Sequence, residues 1–170
     1  MIKKIDSITV VSEIDYDPDL SDIGEWTNEF SVGVMDSSTG EFVSEPLPSE
    51  YVSGYPSYYR YIKPYAGGEE VGSPEYETYA KQDFETLKKI EKNEIWFVHI
   101  FARAKIVIHN TIQVIETPGI WGIEVWDDES LSEAYDESGK DEISNLKNIL
   151  YVLSFTPEEF DSLTVKYKET

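Results

Sequence analysis

Carboxylates are the side chains of this sequence with the greatest capacity for chemistry. Among its 170 residues the chain has 34 acidic and 14 basic side chains, which gives a formal net charge of −20. Carboxylates can bind metals, act as general acids and bases, or present negative charge to a basic partner. Two groups form candidate binding surfaces: an N-terminal acidic block of Asp15, Asp17, Asp19, Asp22 and Glu25, and a C-terminal acidic block of Asp127, Asp128, Glu129, Glu133, Asp136 and Glu137.

The spacing within the N-terminal acidic block tests one specific chemistry. Its Asp-x-Asp-x-Asp opening, from Asp15 to Asp19, resembles the start of a calcium loop. Such a loop needs glycine where this chain has Leu20 and glutamate where it has Trp26. The pattern therefore favours a solvated acidic loop, and we expect no metal site.

Catalytic and cofactor motifs are missing from the rest of the sequence. There is no cysteine, and neither a phosphate-binding glycine loop nor a nucleophile elbow is present. The two histidines, His99 and His109, are ten residues apart on one expected strand, roughly 33 Å along an extended chain. They cannot share a metal unless the strand breaks, and His99 is interpreted as a packed or partly exposed sheet residue. We expect no cofactor and no enzymatic activity; a hydrolase or transferase with a carboxylate site is the third alternative.

The acidic residues are concentrated at the two ends of the chain. Residues 1–75 carry a net charge of −11 and residues 127–170 carry −8, whereas residues 76–126 carry only −1. Nucleic-acid affinity depends on basic side chains that displace counterions, so direct binding to DNA or RNA is disfavoured. Basic proteins are the expected partners. The alternative is that the charge serves solubility alone.

The periodicity of apolar residues predicts one α+β domain over residues 1–170. Residues 95–126 are expected to form a central antiparallel sheet, a meander of three strands over 96–108, 111–116 and 120–126. An amphipathic helix over about 76–92 and C-terminal helices are expected to pack on this sheet. Four parts follow along the chain: N-terminal strands with an acidic loop over 1–45, a Tyr/Pro/Gly-rich irregular segment over 46–75, the helix and sheet core over 76–126, and an acidic helical part over 127–170.

Several local signals set the expected boundaries. Ile8 to Ile14 reads as a strand, and residues 30–35 and 41–43 flank a turn-forming cluster, which favours a hairpin. Asp127-Asp128 can cap a short helix that Ser138-Gly139 would break, before a second helix. Thr156 and Glu159 form a capping box, which predicts a terminal helix to about Lys168.

A tyrosine-rich segment offers a second candidate surface. Residues 46–74 contain six of the twelve tyrosines, among them Tyr58 and Tyr61. Tyrosine suits both the anchoring of irregular segments and protein contacts, and anchoring is favoured here. Because no stretch reaches about 18 apolar residues and the N-terminus has no apolar signal region, we expect a soluble, cytoplasmic protein without membrane contact.

The segment GIWGIEVWDDESL, residues 119–131, carries a family resemblance. Together with SYYRYIKP, EYETYAKQDFETLKKIEKNEIWFVHIFARAKI and the Ser154-Phe155 ending, it resembles a family of small, mostly uncharacterised proteins encoded by phages, prophages and plasmids. The chain departs from that pattern at Ile120 and at Val125-Trp126. The resemblance implies a host cell of a phage or plasmid as the setting, and no functional residue is transferred from it.

Charge and genetic setting together lead to one hypothesis. The chain is expected to inhibit a host defence nuclease, as an anti-CRISPR or antirestriction factor does, with its acidic blocks occupying a basic nucleic-acid groove as a DNA mimic. The partner would be a CRISPR effector or a restriction enzyme. The alternative is a non-enzymatic phage or plasmid accessory protein that binds its partner through Tyr58 and Tyr61. If the chain forms a homodimer, the edge of the 95–126 sheet is a place where two copies would pair.

Overall fold

The computed structural model describes residues 3–48 and 59–169 of an α+β protein. Its elements are β1 (Lys3–Ile14), β2 (Gly24–Thr27), β3 (Met35–Asp36), β4 (Tyr61–Pro64), α1 (Pro74–Glu91), β5 (Trp96–Ile108), β6 (Thr111–Glu116), β7 (Ile120–Val125), α2 (Asp128–Val152), α3 (Pro157–Asp161) and β8 (Val165–Glu169). The contacts group the chain into two compact units. The first unit contains the residues up to Pro18 and those from Trp96 onward, and the second runs from Asp19 to Ile95.

The first unit is built on a five-stranded mixed sheet. Its order is β6-β5-β1-β8, and β7 also pairs with β5. β1 runs antiparallel to β5, with Val10 opposite Ala102, whereas β8 runs parallel to β1, with Tyr167 beside Val10. The prediction of a purely antiparallel central sheet is therefore wrong in one respect, because the C-terminal strand joins the sheet in the parallel direction.

The three strands between residues 96 and 125 have the expected bounds to within a residue, but they do not form a meander. β6 pairs with the second half of β5, and β7 pairs with the first half of the same edge. Between them Thr117 binds β5 directly: its backbone N–H donates to the Ala102 carbonyl at 3.0 Å, and its Oγ1 accepts from the Ala102 N–H at 2.9 Å. β6 and β7 therefore lie one after the other along the same edge of β5, and β7 does not pair with β6 as it would in a meander.

The core of the first unit lies between this sheet and α2. The sequence predicts that alternate residues of β5 form an apolar face. Its central members are buried, namely Val98, Ile100, Ala102, Ala104 and Ile106, whereas Trp96 and Ile108 at its two ends are half-buried. They cluster with α2 side chains that include Leu131, Ala134, Tyr135, Leu146 and Leu150. Burial of a valine, isoleucine or leucine side chain contributes about 1.5–3 kcal/mol. Helix and sheet therefore hold each other in place.

α2 is one continuous helix of 25 residues, although the sequence predicted a break at Ser138-Gly139. A Cβ at Gly139 would lie 3.2 Å from Val10 Cγ1 and 3.8 Å from Tyr167 Cε1. Glycine therefore allows close approach of the helix to the sheet. Packing of the flanking apolar turns outweighs the roughly 1 kcal/mol by which glycine disfavours a helix interior.

The C-terminal segment differs most from its prediction. The Thr156–Glu159 capping box is present, with Thr156 Oγ1 accepting from the Glu159 N–H, but α3 ends at Asp161 instead of about Lys168. The residues that follow, VKYKE, form β8 on the free edge of β1. Their alternating β-branched and aromatic side chains suit a strand, and pairing with β1 satisfies their backbone groups.

The second unit has its own core. Its small sheet has the order β2-β4-β3. The apolar face of α1, which contains Tyr76, Ala80, Phe84 and Leu87, clusters with Met35 and Ile62 of this sheet. Ser73 caps the helix and Pro74 starts it, so the helix itself is confirmed within two residues at its start. The sequence had assigned this apolar face to the central sheet, and it belongs instead to the core of the second unit. The expected hairpin is present in a short form. Met35 pairs with Phe42, the Asp36 N–H donates to the Glu41 carbonyl at 2.8 Å, and the Val43 N–H donates to the Val34 carbonyl at 3.1 Å.

Candidate functional site

The first turn of α2 fixes the start of the C-terminal acidic block. Asp127 is the N-cap, as predicted: its Oδ1 accepts from the Ser130 N–H at 2.8 Å, and Ser130 Oγ accepts from the Asp127 N–H at 3.1 Å. This reciprocal box satisfies backbone donors that a helix start otherwise leaves unpaired. Asp127 therefore has a structural role, and the remaining carboxylates of the block project from the helix that it starts.

Five exposed carboxylates follow within ten residues of α2: Asp128, Glu129, Glu133, Asp136 and Glu137. The first lysine or arginine of α2 is Lys140, which follows all five of them. At about 1.5 Å per helical residue, these charges occupy roughly 15 Å, or about one charge per 3 Å. A single DNA strand carries about one phosphate charge per 3.4 Å. The linear charge density of this helical face therefore matches that of one nucleic-acid strand.

Three of these carboxylates form a stripe along the outer side of the helix. Glu129, Glu133 and Glu137 recur at four-residue spacing, so neighbouring members lie about 6 Å apart on one helical face. Like charges at this spacing destabilise a helix by about 0.2–0.5 kcal/mol for each pair. We call these three residues the α2 stripe. The stripe is thus an electrostatic arrangement that folding does not favour.

The N-terminal acidic block is divided between the two units. Asp15 and Asp17 belong to the first unit, whereas Asp19, Asp22 and Glu25 belong to the second. Asp15 is held by contacts of its own, since its Oδ2 accepts from the Gly122 N–H at 3.2 Å and its Oδ1 from the Asp17 N–H at 3.1 Å. Asp15 therefore serves to attach the end of β1 to β7.

The second-unit members of the N-terminal acidic block are also partly engaged. Asp19 Oδ1 accepts from the Ser21 N–H at 3.0 Å, and hydrogen bonds from Ser21 lower the pKa of Asp19. Glu25 lies 3.4 Å from Lys63 Nζ in an exposed ion pair. Asp22 is exposed. In the described ranges no group of three or more His, Cys, Asp or Glu side chains is arranged to hold a metal ion.

A cavity of about 310 Å³ lies beside the first turns of α2. Its lining residues come from α2 and from β8: Asp128, Leu131, Ser132, Tyr135, Asp136, Tyr167 and Glu169. The rings of Tyr135 and Tyr167 meet edge to face, with centroids 5.3 Å apart and planes at 73°. The Tyr135 hydroxyl lies 2.7 Å from Ser12 Oγ in a buried hydrogen bond. α2 therefore presents two adjoining features, an acidic outer stripe and an acidic aromatic cavity.

The electrostatics of the cavity act on Tyr135. Burial raises the pKa of Tyr135, the hydrogen bond with Ser12 lowers it in part, and the negative charge of Glu169 raises it further. The Tyr135 phenol is therefore kept in its neutral form, as a neighbour of carboxylates should be. β8 contributes Tyr167 and Glu169, which the sequence had assigned to a terminal helix. The alternation of VKYKE was the signal that could have identified them.

His99 is buried in the sheet, as the sequence predicted. Its ring stacks on the indole of Trp121, with centroids 3.7 Å apart and planes at 4°. Its Nε2 lies 3.0 Å from the Pro118 carbonyl, and because a carbonyl only accepts, the proton is on Nε2. Among the described residues Nδ1 has no hydrogen-bond partner. His109, in contrast, is exposed in the turn between β5 and β6.

The alternative aromatic surface is corrected at Tyr61. This side chain is only 1% exposed; its hydroxyl accepts from the Leu47 N–H at 2.8 Å, and its ring packs edge-on against Phe30. Tyr61 thus anchors an irregular segment and is not available to a partner. Tyr58, the other predicted contact, lies outside the described residues.

A carboxylate active site, the third alternative, would gather carboxyl groups with raised pKa values in a pocket. Burial raises the pKa of Asp83, while hydrogen bonds from the backbone of Ala66 and Tyr65 act against this shift. Asp83 Oδ2 accepts from the Ala66 N–H at 2.6 Å, so this carboxyl ties α1 to the turn before it. It does not line the cavity beside α2. Its position is therefore explained by the fold.

Two further findings concern the protein beyond this site. Within residues 3–48 and 59–169, none of the helices combines the length and apolar character needed to cross a bilayer. Comparison of the sequence and structure with protein-family models, curated proteins and solved structures gives no match. The site is accordingly interpreted from its own geometry.

Proposed function

We propose that this chain is an inhibitor that binds the nucleic-acid groove of a basic host protein through the acidic face of α2. The target class is a defence nuclease such as a CRISPR effector or a restriction enzyme, and the setting is a host cell of a phage or plasmid. The sequence resemblance of residues 119–131 to proteins of mobile elements supports this setting. The chain acts by occupying the groove, and no catalytic step is assigned to it.

One observation carries the proposal: five exposed carboxylates on ten residues of α2, with a charge spacing close to that of a DNA strand. A groove that binds phosphates through lysine and arginine attracts such a helix by the same long-range field. The helix already fixes the backbone positions of these carboxylates, so only their side-chain rotamers must be ordered on binding. A backbone that is ordered before binding favours affinity because its ordering cost has been met on folding.

The cost of the α2 stripe to folding gives a second line of support. Glutamine in place of each stripe glutamate would relieve two like-charge pairs and preserve helix propensity. A charge needed only for solubility could be distributed without such pairs. A continuous stripe is the arrangement expected when a partner supplies the compensating positive charge.

A competition experiment tests the proposal directly. Purified chain is titrated into a panel of purified CRISPR effector nucleases and restriction endonucleases, each bound to a fluorescently labelled cognate duplex. We expect displacement of the duplex from at least one nuclease, and the displacement should weaken as salt rises. Binding of the chain to a nuclease that remains fully occupied by its duplex would show that the groove is not the site. If the chain neither binds nor inhibits any nuclease of the panel, the proposed target class is wrong.

A further inference from the structure

The cavity between α2 and β8 has the features of a site for a single cationic group. Seven side chains line its volume of about 310 Å³, and none of them is lysine, arginine or histidine. Three are the carboxylates Asp128, Asp136 and Glu169. Within residues 3–48 and 59–169 none of these three forms an ion pair. The side chains that line the cavity therefore carry an excess of negative charge.

Two aromatic rings give the cavity a defined binding geometry. Tyr135 is 8% exposed and is held by its hydrogen bond with Ser12, whereas Tyr167 is 51% exposed. Their planes meet at 73°, so the rings form a corner, not a flat slot. The face of an aromatic ring carries partial negative charge and attracts cations. The tyrosine rings and the carboxylates therefore both favour a cationic ligand.

We propose that this cavity receives the ammonium group of a lysine side chain of the basic partner. This inference rests on the proposed function and names the chemistry of one anchor within it. A corner of two rings suits a compact ammonium, whereas a planar guanidinium stacks best on a single flat face. The apolar side of Leu131 suits the methylene stem of lysine. A phosphate or carboxylate ligand would be repelled by three carboxylates.

A divalent cation is the competing occupant. Calcium and magnesium bind through oxygen ligands and gain nothing from the faces of tyrosine rings. The contribution of the Tyr167 ring therefore separates the two occupants. A lysine ammonium should depend on this ring, whereas a metal held by carboxylates should not.

The experiment is an NMR titration of the full chain with Nα-acetyl-lysine methylamide, monitored by the ring protons of Tyr135 and Tyr167. The uncharged control ligand is Nα-acetyl-norleucine methylamide, which has the same stem without the ammonium. We expect saturable shifts of both rings with the lysine ligand and at least about tenfold weaker binding of the norleucine ligand. Equal binding of the two ligands, or no saturable shift with the lysine ligand, would overturn the inference.

Variants identify which groups hold the ammonium. Tyr167→Leu should weaken binding of the lysine ligand about tenfold, whereas Tyr167→Phe keeps the ring and should stay within about twofold. Asp128→Asn with Asp136→Asn should also weaken it about tenfold. The matched control is Glu124→Gln with Asp141→Asn, two exposed carboxylates of the same unit that do not line the cavity.

Two outcomes of the variant series would contradict the assignment. One is lysine binding that is unaffected by Tyr167→Leu in a chain whose amide spectrum is otherwise unchanged. The other is displacement of the lysine ligand by millimolar Ca²⁺ with the same affinity in the parent chain and in Tyr167→Leu, which would assign the cavity to a metal. Because Tyr167→Phe retains the packing against Tyr135, its behaviour separates loss of the ring from loss of folding.

The NMR titration with the lysine ligand does not involve a nuclease, so this inference and the proposed function can fail separately. Saturable binding of the lysine ligand, with no nuclease inhibited, would retain the cavity and remove the proposed function. Inhibition that depends on the α2 stripe, with no binding of the lysine ligand, would retain the function and remove the cavity as an anchor.

Discussion

Neutralising the α2 stripe is the perturbation that best separates charge mimicry from solubility. The variant carries Glu129→Gln, Glu133→Gln and Glu137→Gln, which removes three exposed charges and leaves side-chain size and helix propensity nearly unchanged. If the stripe lies in a basic groove, inhibition of the target nuclease should weaken. If the charge serves solubility alone, inhibition should remain as it is.

The size of the effect follows from the exposure of the three side chains. Exposed ion pairs contribute about 0.2–1 kcal/mol each, so three give about 0.6–3 kcal/mol. This corresponds to a loss of affinity of about 3- to 150-fold. Folding stability should change by less than about 1 kcal/mol, because relief of two like-charge pairs offsets the lost interaction of Glu129 with the helix N-terminus.

The assay measures inhibition constants against one nuclease at several salt concentrations. The matched control removes three charges from the second unit, with Glu69→Gln, Glu70→Gln and Glu85→Gln. Both variants therefore have the same net charge. The stripe variant should lose affinity and show a shallower dependence on salt, whereas the control should lose little affinity.

Two results would refute this reasoning. Equal losses in the two variants would mean that net charge, and not the position of the stripe, determines binding. Unchanged inhibition by the stripe variant, with an intact thermal transition, would mean that α2 does not contact the groove.

Three further predictions concern the architecture that supports the site. Gly119→Ala should destabilise the fold by about 2 kcal/mol or more in urea unfolding, because its Cβ would lie too close to His99 Nε2 and its φ is +76°; a smaller loss would mean that the turn can shift. Thr117→Val should cost about 1–3 kcal/mol in the same assay, since the buried Ala102 N–H loses its acceptor; an unchanged midpoint would contradict the bond. Burial raises the pKa of Tyr135 above its ordinary value of 10.0. The stabilisation that the neutral phenol contributes should therefore be complete below about pH 10 and be lost as pH rises through the folded-state pKa. The difference in free energy of unfolding between the parent chain and Tyr135→Phe should change over that pH range, and a constant difference would contradict the prediction.

Elements that bury their own periodic face could be predicted from the sequence. β5 was expected and found over residues 96–108, because its alternate apolar residues leave one register that buries them. α1 was expected over about 76–92 and found at Pro74–Glu91, because its apolar positions follow the helical period. The partners of these faces could not be predicted, since an apolar stripe specifies burial but not the surface that buries it.

The C-terminal errors have the same physical origin. Ser138-Gly139 is a helix-breaking pair by propensity, yet Gly139 permits the contact of α2 with Val10 that continues the helix. Residues 165–169 carry only the short alternation VKYKE as a local signal, and they become a strand because β1 offers an unpaired edge. At Tyr61 the favoured interpretation was anchoring of the irregular segment, and its hydroxyl does accept from the Leu47 N–H; the alternative, a contact with a partner, does not fit its burial.

The sequence by itself determined the charge, its two acidic blocks, the capped start of α2 and the long central strand, because each of these depends on residues adjacent along the chain. Only the tertiary structure divided the N-terminal acidic block between two units, joined β8 to the sheet and brought Tyr167 and Glu169 to the side of Asp128 and Asp136. The division into units, the pairing of β8 and the lining of the cavity all depend on contacts between residues that are distant in sequence. A local sequence pattern does not specify which distant strand edge or helix face an element will contact.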